Sequence, residues 1–133
     1  MPARIRIDVL IVDRSTLAHN LYQLLFTGQN RFRISFADEF QSLTKRSHRF
    51  RPDILLVNSN AIERDTLNGF RFPCPTILIA SKDRLDLQES TAEQKQVTLI
   101  DKPFYPYDLL SVVNRLAGQR IEKERKKVKR KSS

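Results

Sequence analysis

The sequence holds one cysteine, three glycines, two histidines and no apolar run approaching the length of a membrane span. Each shortage removes a class of function. A single thiol, Cys74, cannot close an internal disulfide, and with no histidine constellation beside it neither metal binding nor catalysis is indicated. Between Pro73 and Pro75, ahead of an apolar stretch, it reads as a small packing residue in a chain suited to a reducing, cytoplasmic setting. Gly28, Gly69 and Gly118 are too scattered for a phosphate-cradling loop, and no Ser/His/Asp arrangement stands in for one. A bilayer span needs about 18 apolar residues, which the chain lacks, and no apolar core follows the basic N-terminal residues as in a secretory signal. No winged helix or helix-turn-helix is recognisable, so sequence-specific reading of DNA is not expected.

What the chain has in excess is positive charge, a formal +9. Residues 118–133, GQRIEKERKKVKRKSS, hold eight Lys/Arg against two Glu, while the preceding 117 residues are only mildly basic. The expected organisation is therefore one domain over 1–117 and a basic tail over 118–133, either continuing the last helix or disordered. On a continued helix, Arg120, Lys123, Lys126, Lys127 and Arg130 share a side. Such a side can bind nucleic-acid phosphates or an anionic surface; the plainer reading is a solvated helix end.

Apolar patterning sets the architecture. Val9–Val12 is a continuous apolar run ending at Asp13, and Ser15 or Asp13 can cap the segment that follows. Leu17, Leu21, Leu24 and Leu25 fall at i, i+4, i+7 and i+8, which predicts the inward face of a helix stopped by Gly28. Phe32, Ile34 and Phe36 alternate with polar residues and predict a strand at a sheet edge. Asp38 and Glu39 open a second helix through about Arg49, with Phe40, Leu43 and Phe50 inward. Pro52-Asp53 then introduces Ile54–Val57, a buried strand breaking into Asn58-Ser59-Asn60. Ile62, Leu67 and Phe70 suggest a short helix ending near Gly69. Thr76–Ala80 and Val97–Ile100 are two more strands, separated by a weakly amphipathic helix over 84–94. The last helix opens at Pro106 and Asp108 and carries Leu109, Val112, Val113 and Leu116 on one stripe. Five strands alternating with helices predict an α/β parallel sheet with right-handed crossovers.

The strand ends bring Asp13-Arg14, Asn58, Ala80-Ser81 and Lys102-Pro103 to one edge, where open α/β sheets place ligands and chemistry. In order and spacing, VLIVD at 9–13, PDILLVN at 52–58, PTILIAS at 75–81 and DKPF at 101–104 resemble the receiver domain of two-component response regulators, over about residues 5–117. The resemblance implies a flavodoxin-like (CheY-like) fold, a five-stranded parallel sheet in the order 2-1-3-4-5 with helices on both faces. It also implies a cis Lys102-Pro103 bond.

A phosphorylated receiver uses a carboxylate on the third strand as phosphoacceptor, acids after the first strand to hold Mg²⁺, a Ser or Thr ending the fourth strand, and a Lys ending the fifth. This chain keeps Lys102 and departs at most other positions. Asn58 stands at the acceptor position, Arg14 replaces one metal-holding acid and leaves only Asp13, and Ala80 takes the hydroxyl position. Ser81 is expected on the other side of the strand, and Leu99 sits where an aromatic switch residue is common. Asp13, Arg14 and Lys102 sum to +1, so Mg²⁺ is not expected to bind; Arg14 either folds into the empty metal site and pairs with Asp13 or points to solvent. His19 and His48 read as packing residues, not phosphotransfer groups. The expectation is a stand-alone, non-enzymatic, atypical receiver acting through protein contacts, including a homodimer. Its expected contact surface is residues 84–96, Leu99, Tyr105, Tyr107 and Arg115; the alternative is nucleic-acid or anionic-surface binding through the tail.

Overall fold

The computed structural model describes residues 6–40, 52–64, 67 and 70–132, with the side chains of 124 and 127–132 outside the description. The elements are β1 (Ile7–Val12), α1 (Thr16–Phe26), β2 (Phe32–Ala37), β3 (Ile54–Asn58), a 3-10 turn (Ser59–Ala61), β4 (Thr76–Ala80), α2 (Leu85–Thr91), β5 (Val97–Asp101) and α3 (Pro106–Ser132). The five strands form one parallel sheet in the order β2-β1-β3-β4-β5. This is the expected sheet.

Alternation along the buried strands divides the core between the two faces. Val9, Ile11, Ile54, Leu56, Ile77 and Ile79 pack against Tyr22 and Phe26 of α1 and Leu109, Val113 and Ala117 of α3. Leu10, Val12, Leu55, Val57, Leu78 and Ala80 pack on the other face against Phe40, Phe72 and Leu87. Phe40, Phe70 and Phe72 meet edge to face, a geometry that suits the ring quadrupoles. All five residues of β3 and of β4 are buried, as continuous apolar runs in a parallel sheet require.

One helical reading needs correction. On α1 the inward face is Ala18, Tyr22, Leu25 and Phe26, whereas Leu17, Leu21 and Leu24 are 80, 41 and 74 % exposed. Rotating the helix in this way buries two aromatic rings and brings the Tyr22 hydroxyl to a buried acceptor, an option the leucine spacing does not reveal. After β3 the backbone forms a 3-10 turn at Ser59–Ala61, with Ile62 and Leu67 buried, and the expected short helix ending near Gly69 falls largely outside the described residues. Asn58 dictates the turn, because its Oδ1 accepts from the Asn60 N–H at 3.1 Å. The expected helix from Asp38 to about Arg49, with Leu43, His48 and Phe50, lies outside the described residues beyond Phe40.

Gly28 has φ of +83° just past α1, where a side chain would be strained. The Lys102-Pro103 bond is cis. Helix α3 continues without interruption across residue 118 to Ser132, and among the described side chains Ile121 is the last packed on the core.

Candidate functional site

Asp13 follows β1 and is fully buried, and its carboxylate organises the sheet edge. Oδ1 accepts from the Ser15 N–H at 2.9 Å and from Asn60 Nδ2 at 2.8 Å. Oδ2 accepts from the Tyr22 hydroxyl at 2.9 Å and from Asn58 Nδ2 at 3.0 Å. A carboxylate offers about four acceptor positions, so four donors use them all. Burial of the charge is thereby compensated, and no buried side-chain N or O among the described residues lacks a partner. Burial, followed by the charge of Asp13 and the bond to it, pushes the Tyr22 hydroxyl well above the usual tyrosine range.

The same residues assemble the first crossover. Ser15 Oγ caps α1 by accepting from the Ala18 N–H at 3.3 Å, and Asn60 Oδ1 accepts from the Arg14 N–H at 3.1 Å. His19 stacks on Phe36 with centroids 4.5 Å apart, and its Nε2 lies 2.7 Å from the Asp13 carbonyl oxygen. That is a packing role.

Arg14 does not fold onto Asp13. Its half-exposed side chain reaches out to Glu39 at 3.7 Å, since the Asp13 oxygens are already taken by shorter, buried donors. Ser81 is the second correction: it lines the same cleft as Asp13, Asn58 and Lys102, while Ala80 lies beneath the sheet in the Val57–Leu78 cluster. Strand alternation stops at Ala80, and the chain turns there, with the Ser81 carbonyl accepting from the Arg84 N–H at 3.0 Å.

The cleft over this edge measures about 750 Å³. Its floor is Asp13, Asn58, Asn60, Ser81 and Lys102, and its walls are Ala18 and Leu21 on one side and Pro103, Phe104 and Pro106 on the other. The Lys102 ammonium makes no hydrogen bond or ion pair among the described residues. Burial draws its pKa below the ordinary lysine value, opposed by the negative charge of Asp13. As a Mg²⁺ site the donor set does not fit. Octahedral Mg²⁺ takes free oxygens of carboxylates, phosphates and water; here the one buried carboxylate is saturated, and the Asn58 amide oxygen is held by Asn60.

Arg84 was expected on an exposed contact surface but is only 12 % exposed at its side chain. Its Nη1 donates to the Ser59 and Ile62 carbonyls at 3.0 and 2.9 Å, and its Nε and Nη2 grip Asp86 at 3.0 and 3.1 Å. It ties the start of α2 to the turn after β3. Tyr22 and Arg84 are the site residues that sequence reasoning missed. A tyrosine on the inward side of a helix that starts beside a buried carboxylate was the available signal for the first.

The remaining expected residues are spread over the surface. Leu99, Tyr105 and Tyr107 are 38, 76 and 82 % exposed on β5 and at the start of α3, with Leu85 of α2 at 61 %. Arg115, Lys123 and Lys126 are exposed along α3, whereas Arg120 turns inward to pair with Asp53 at 3.3 Å. Lys127 and Arg130 lie on the helix, their side chains outside the description.

No family model matches the sequence, and no curated protein is similar to it. Solved structures are. The signal receiver domain of an HD-domain-containing protein from Pseudomonas fluorescens Pf-5 superposes with a TM-score of 0.71 at 16 % identity, covering 88 % of this chain and 98 % of its own. The fold is that of a receiver domain. A response regulator receiver protein from Pseudoalteromonas atlantica has a TM-score of 0.66 at 18 % identity, covering 84 % and 98 % of the two chains. The receiver domain of a signal transduction histidine kinase from Syntrophus aciditrophicus gives 0.68 at 20 %, covering 85 % and 91 %. At these identities the likeness establishes the receiver fold, within which Asn58 ends the third strand and Lys102 follows the fifth. Among the described residues no helix is long and apolar enough to cross a membrane.

Proposed function

We propose that this chain is an atypical receiver that signals by protein contact in the cytoplasm, without phosphorylation, Mg²⁺ or catalysis of its own. The observation that carries this reading is the saturated Asp13 carboxylate. Phosphoryl transfer to a receiver needs an acidic nucleophile and a cation to neutralise developing charge. Here the acceptor position is an amide that already donates to Asp13, and the residue next to Asp13 is a cation facing away. The contact surface is the face formed by α2, β5 and the start of α3. Exposed Leu85, Leu99, Tyr105 and Tyr107 supply apolar area, and the tyrosines also supply hydroxyls. The partner is a signalling protein or a second copy of the chain.

The test is incubation with acetyl phosphate and Mg²⁺, read by intact mass. The native chain is expected to stay unmodified, whereas Arg14→Asp/Asn58→Asp is expected to gain one phosphoryl group. Phosphorylation of the native chain would sink the reading. A double Tyr105→Ala/Tyr107→Ala variant should weaken self-association or partner capture; unchanged association would move the surface elsewhere.

The unbroken course of α3 to Ser132 favours a second reading. Beyond Ile121 the helix carries Lys123, Arg125, Lys126, Lys127, Lys129, Arg130 and Lys131 against Glu122 and Glu124. A cationic helix of this kind binds nucleic-acid backbone without sequence preference, and its affinity falls steeply with salt. Truncation after Glu122 keeps Arg120 and Ile121 in place and should abolish low-salt binding. Absence of binding by the full chain at low salt removes this reading.

A further inference from the structure

The polar groups of the cleft floor are almost all committed. The Asp13 oxygens have four donors, the Asn58 amide is used at both ends, and Asn60 donates to Asp13 and accepts from Arg14. Ser15 Oγ caps α1. At the rim, Asp83 faces Arg64 at 3.9 Å. Two floor groups are left: the Lys102 ammonium and the Ser81 hydroxyl, neither of which has a side-chain hydrogen bond among the described residues. Both donate hydrogen bonds, and one carries a positive charge. Above them stand Ala18 and Leu21 on one wall and Phe104 and Pro106 on the other, all apolar and partly open to solvent. The cleft volume of about 750 Å³ falls within the range of roughly 300–1,000 Å³ usual for small-molecule sites.

We propose that this cleft reversibly binds a small amphipathic anion, its carboxylate or phosphate head on Lys102 and Ser81 and its apolar body between Leu21 and Phe104. The site is non-covalent, because the Asp13 carboxylate, which could serve the Ser81 hydroxyl as a base, is committed to four donors. This goes beyond the contact reading above and can be tested without it. The head group replaces water on a half-buried ammonium that forms no ion pair among the described residues, and the body covers apolar surface exposed on both walls. An anion needs both parts to use the site fully. A neutral analogue has nothing to offer Lys102, and a bare inorganic anion leaves Leu21 and Phe104 wet.

The experiment uses the full chain, with octanoate, octyl phosphate and octanol titrated separately and followed by backbone amide shifts. Saturable binding of octanoate or octyl phosphate is expected, with shifts centred on Leu21, Ser81, Lys102 and Phe104. Octanol should bind at least about tenfold more weakly, the ordinary worth of a charge-assisted hydrogen bond. Lys102→Met should weaken the anions by about the same factor and leave octanol unchanged. Leu21→Gln, an exposed helix position that the fold tolerates, should weaken all three. No saturable binding of either anion would overturn the proposal. Anion binding indifferent to Lys102→Met or to Leu21→Gln would also overturn it, since the anion would then sit elsewhere.

Discussion

Replacing Asn58 by Asp tests the central argument about the site most directly. The substitution is nearly isosteric, but it exchanges the Nδ2 donor 3.0 Å from Asp13 Oδ2 for a carboxylate oxygen. Both positions are buried, Asp13 completely and Asn58 to 6 % exposure. At an effective dielectric of about 20, two charges at that separation repel by about 5 kcal/mol. Binding one proton is the cheaper course. Neutralising a carboxyl of ordinary pKa near 3.9 costs about 4 kcal/mol at pH 7 and about 1.5 kcal/mol at pH 5. The pair should therefore take up a proton in the folded state, and that proton restores a hydrogen bond to Asp13. One folded pKa then lies above its unfolded value. The unfolded chain consequently binds fewer protons over this range, and stability falls as pH rises through it. Urea unfolding of Asn58→Asp should show a loss of up to about 4 kcal/mol at pH 7 that shrinks by about 2–3 kcal/mol at pH 5. Asn58→Ala, which loses the same donor without adding charge, should show no such pH dependence. An Asn58→Asp variant as stable as the parent at pH 7, or equally destabilised at both pH values, would refute the contact with Asp13.

Three further outcomes follow from the same geometry. Tyr22→Phe removes one of four donors to a buried carboxylate and should cost about 1–3 kcal/mol in denaturant unfolding. A change below a few tenths would mean that the 2.9 Å bond does not form. Arg84→Met removes one ion-pair partner of Asp86 and the donor to two carbonyls in a nearly buried setting, and about 3 kcal/mol of stability should be lost; retention of the parent melting curve would count against the tie between α2 and the turn after β3. Burial, with the charge of Asp53 behind it, pushes the Cys74 thiol up to about 11. Thiol labelling at pH 8 should thus run roughly a hundredfold slower in the folded chain than in urea, and comparable rates would show Cys74 to be open.

The parallel sheet was legible because β1, β3 and β4 are buried on both faces, and continuous apolar runs of that length have few other uses. What escaped the sequence were orientations. Four leucines at helical spacing outweighed Tyr22 on α1, yet the structure exposes three of them, because Tyr22 and Phe26 bury larger surfaces and Tyr22 completes the shell around Asp13. Charge counting left Arg14 between Asp13 and solvent, because it takes no account of the neutral amides that fill both Asp13 oxygens. Ser81 was assigned by strand alternation one residue after the strand had ended. Arg84 looked like an ordinary surface cation until the carbonyls of Ser59 and Ile62 came within its reach. For Tyr22 and Arg84, short-range pattern located the residue, and a hydrogen-bond partner distant in sequence decided where it pointed.

The retention of Asp13 follows from the same partners. If it were only the remnant of a metal site, its charge would be a burden once the neighbouring acids were gone, since a buried lone carboxylate is costly. Its four donors remove that cost. They come from the cap of α1, from the inward face of α1, from the end of β3 and from the turn after it, so one side chain joins three consecutive parts of the fold. An acid at position 58 could not join this arrangement without a cation or a proton to reconcile it with Asp13, whereas an amide donates to Asp13 and still has an oxygen left to shape the turn at Asn60. Asn58 thus joins β3 to Asp13 and to the turn through one neutral side chain. With the Asp13 oxygens enclosed by hydrogen bonds, the floor groups left without a side-chain partner among the described residues are donors, the hydroxyl of Ser81 and the ammonium of Lys102, which is the chemistry an anionic head group would use.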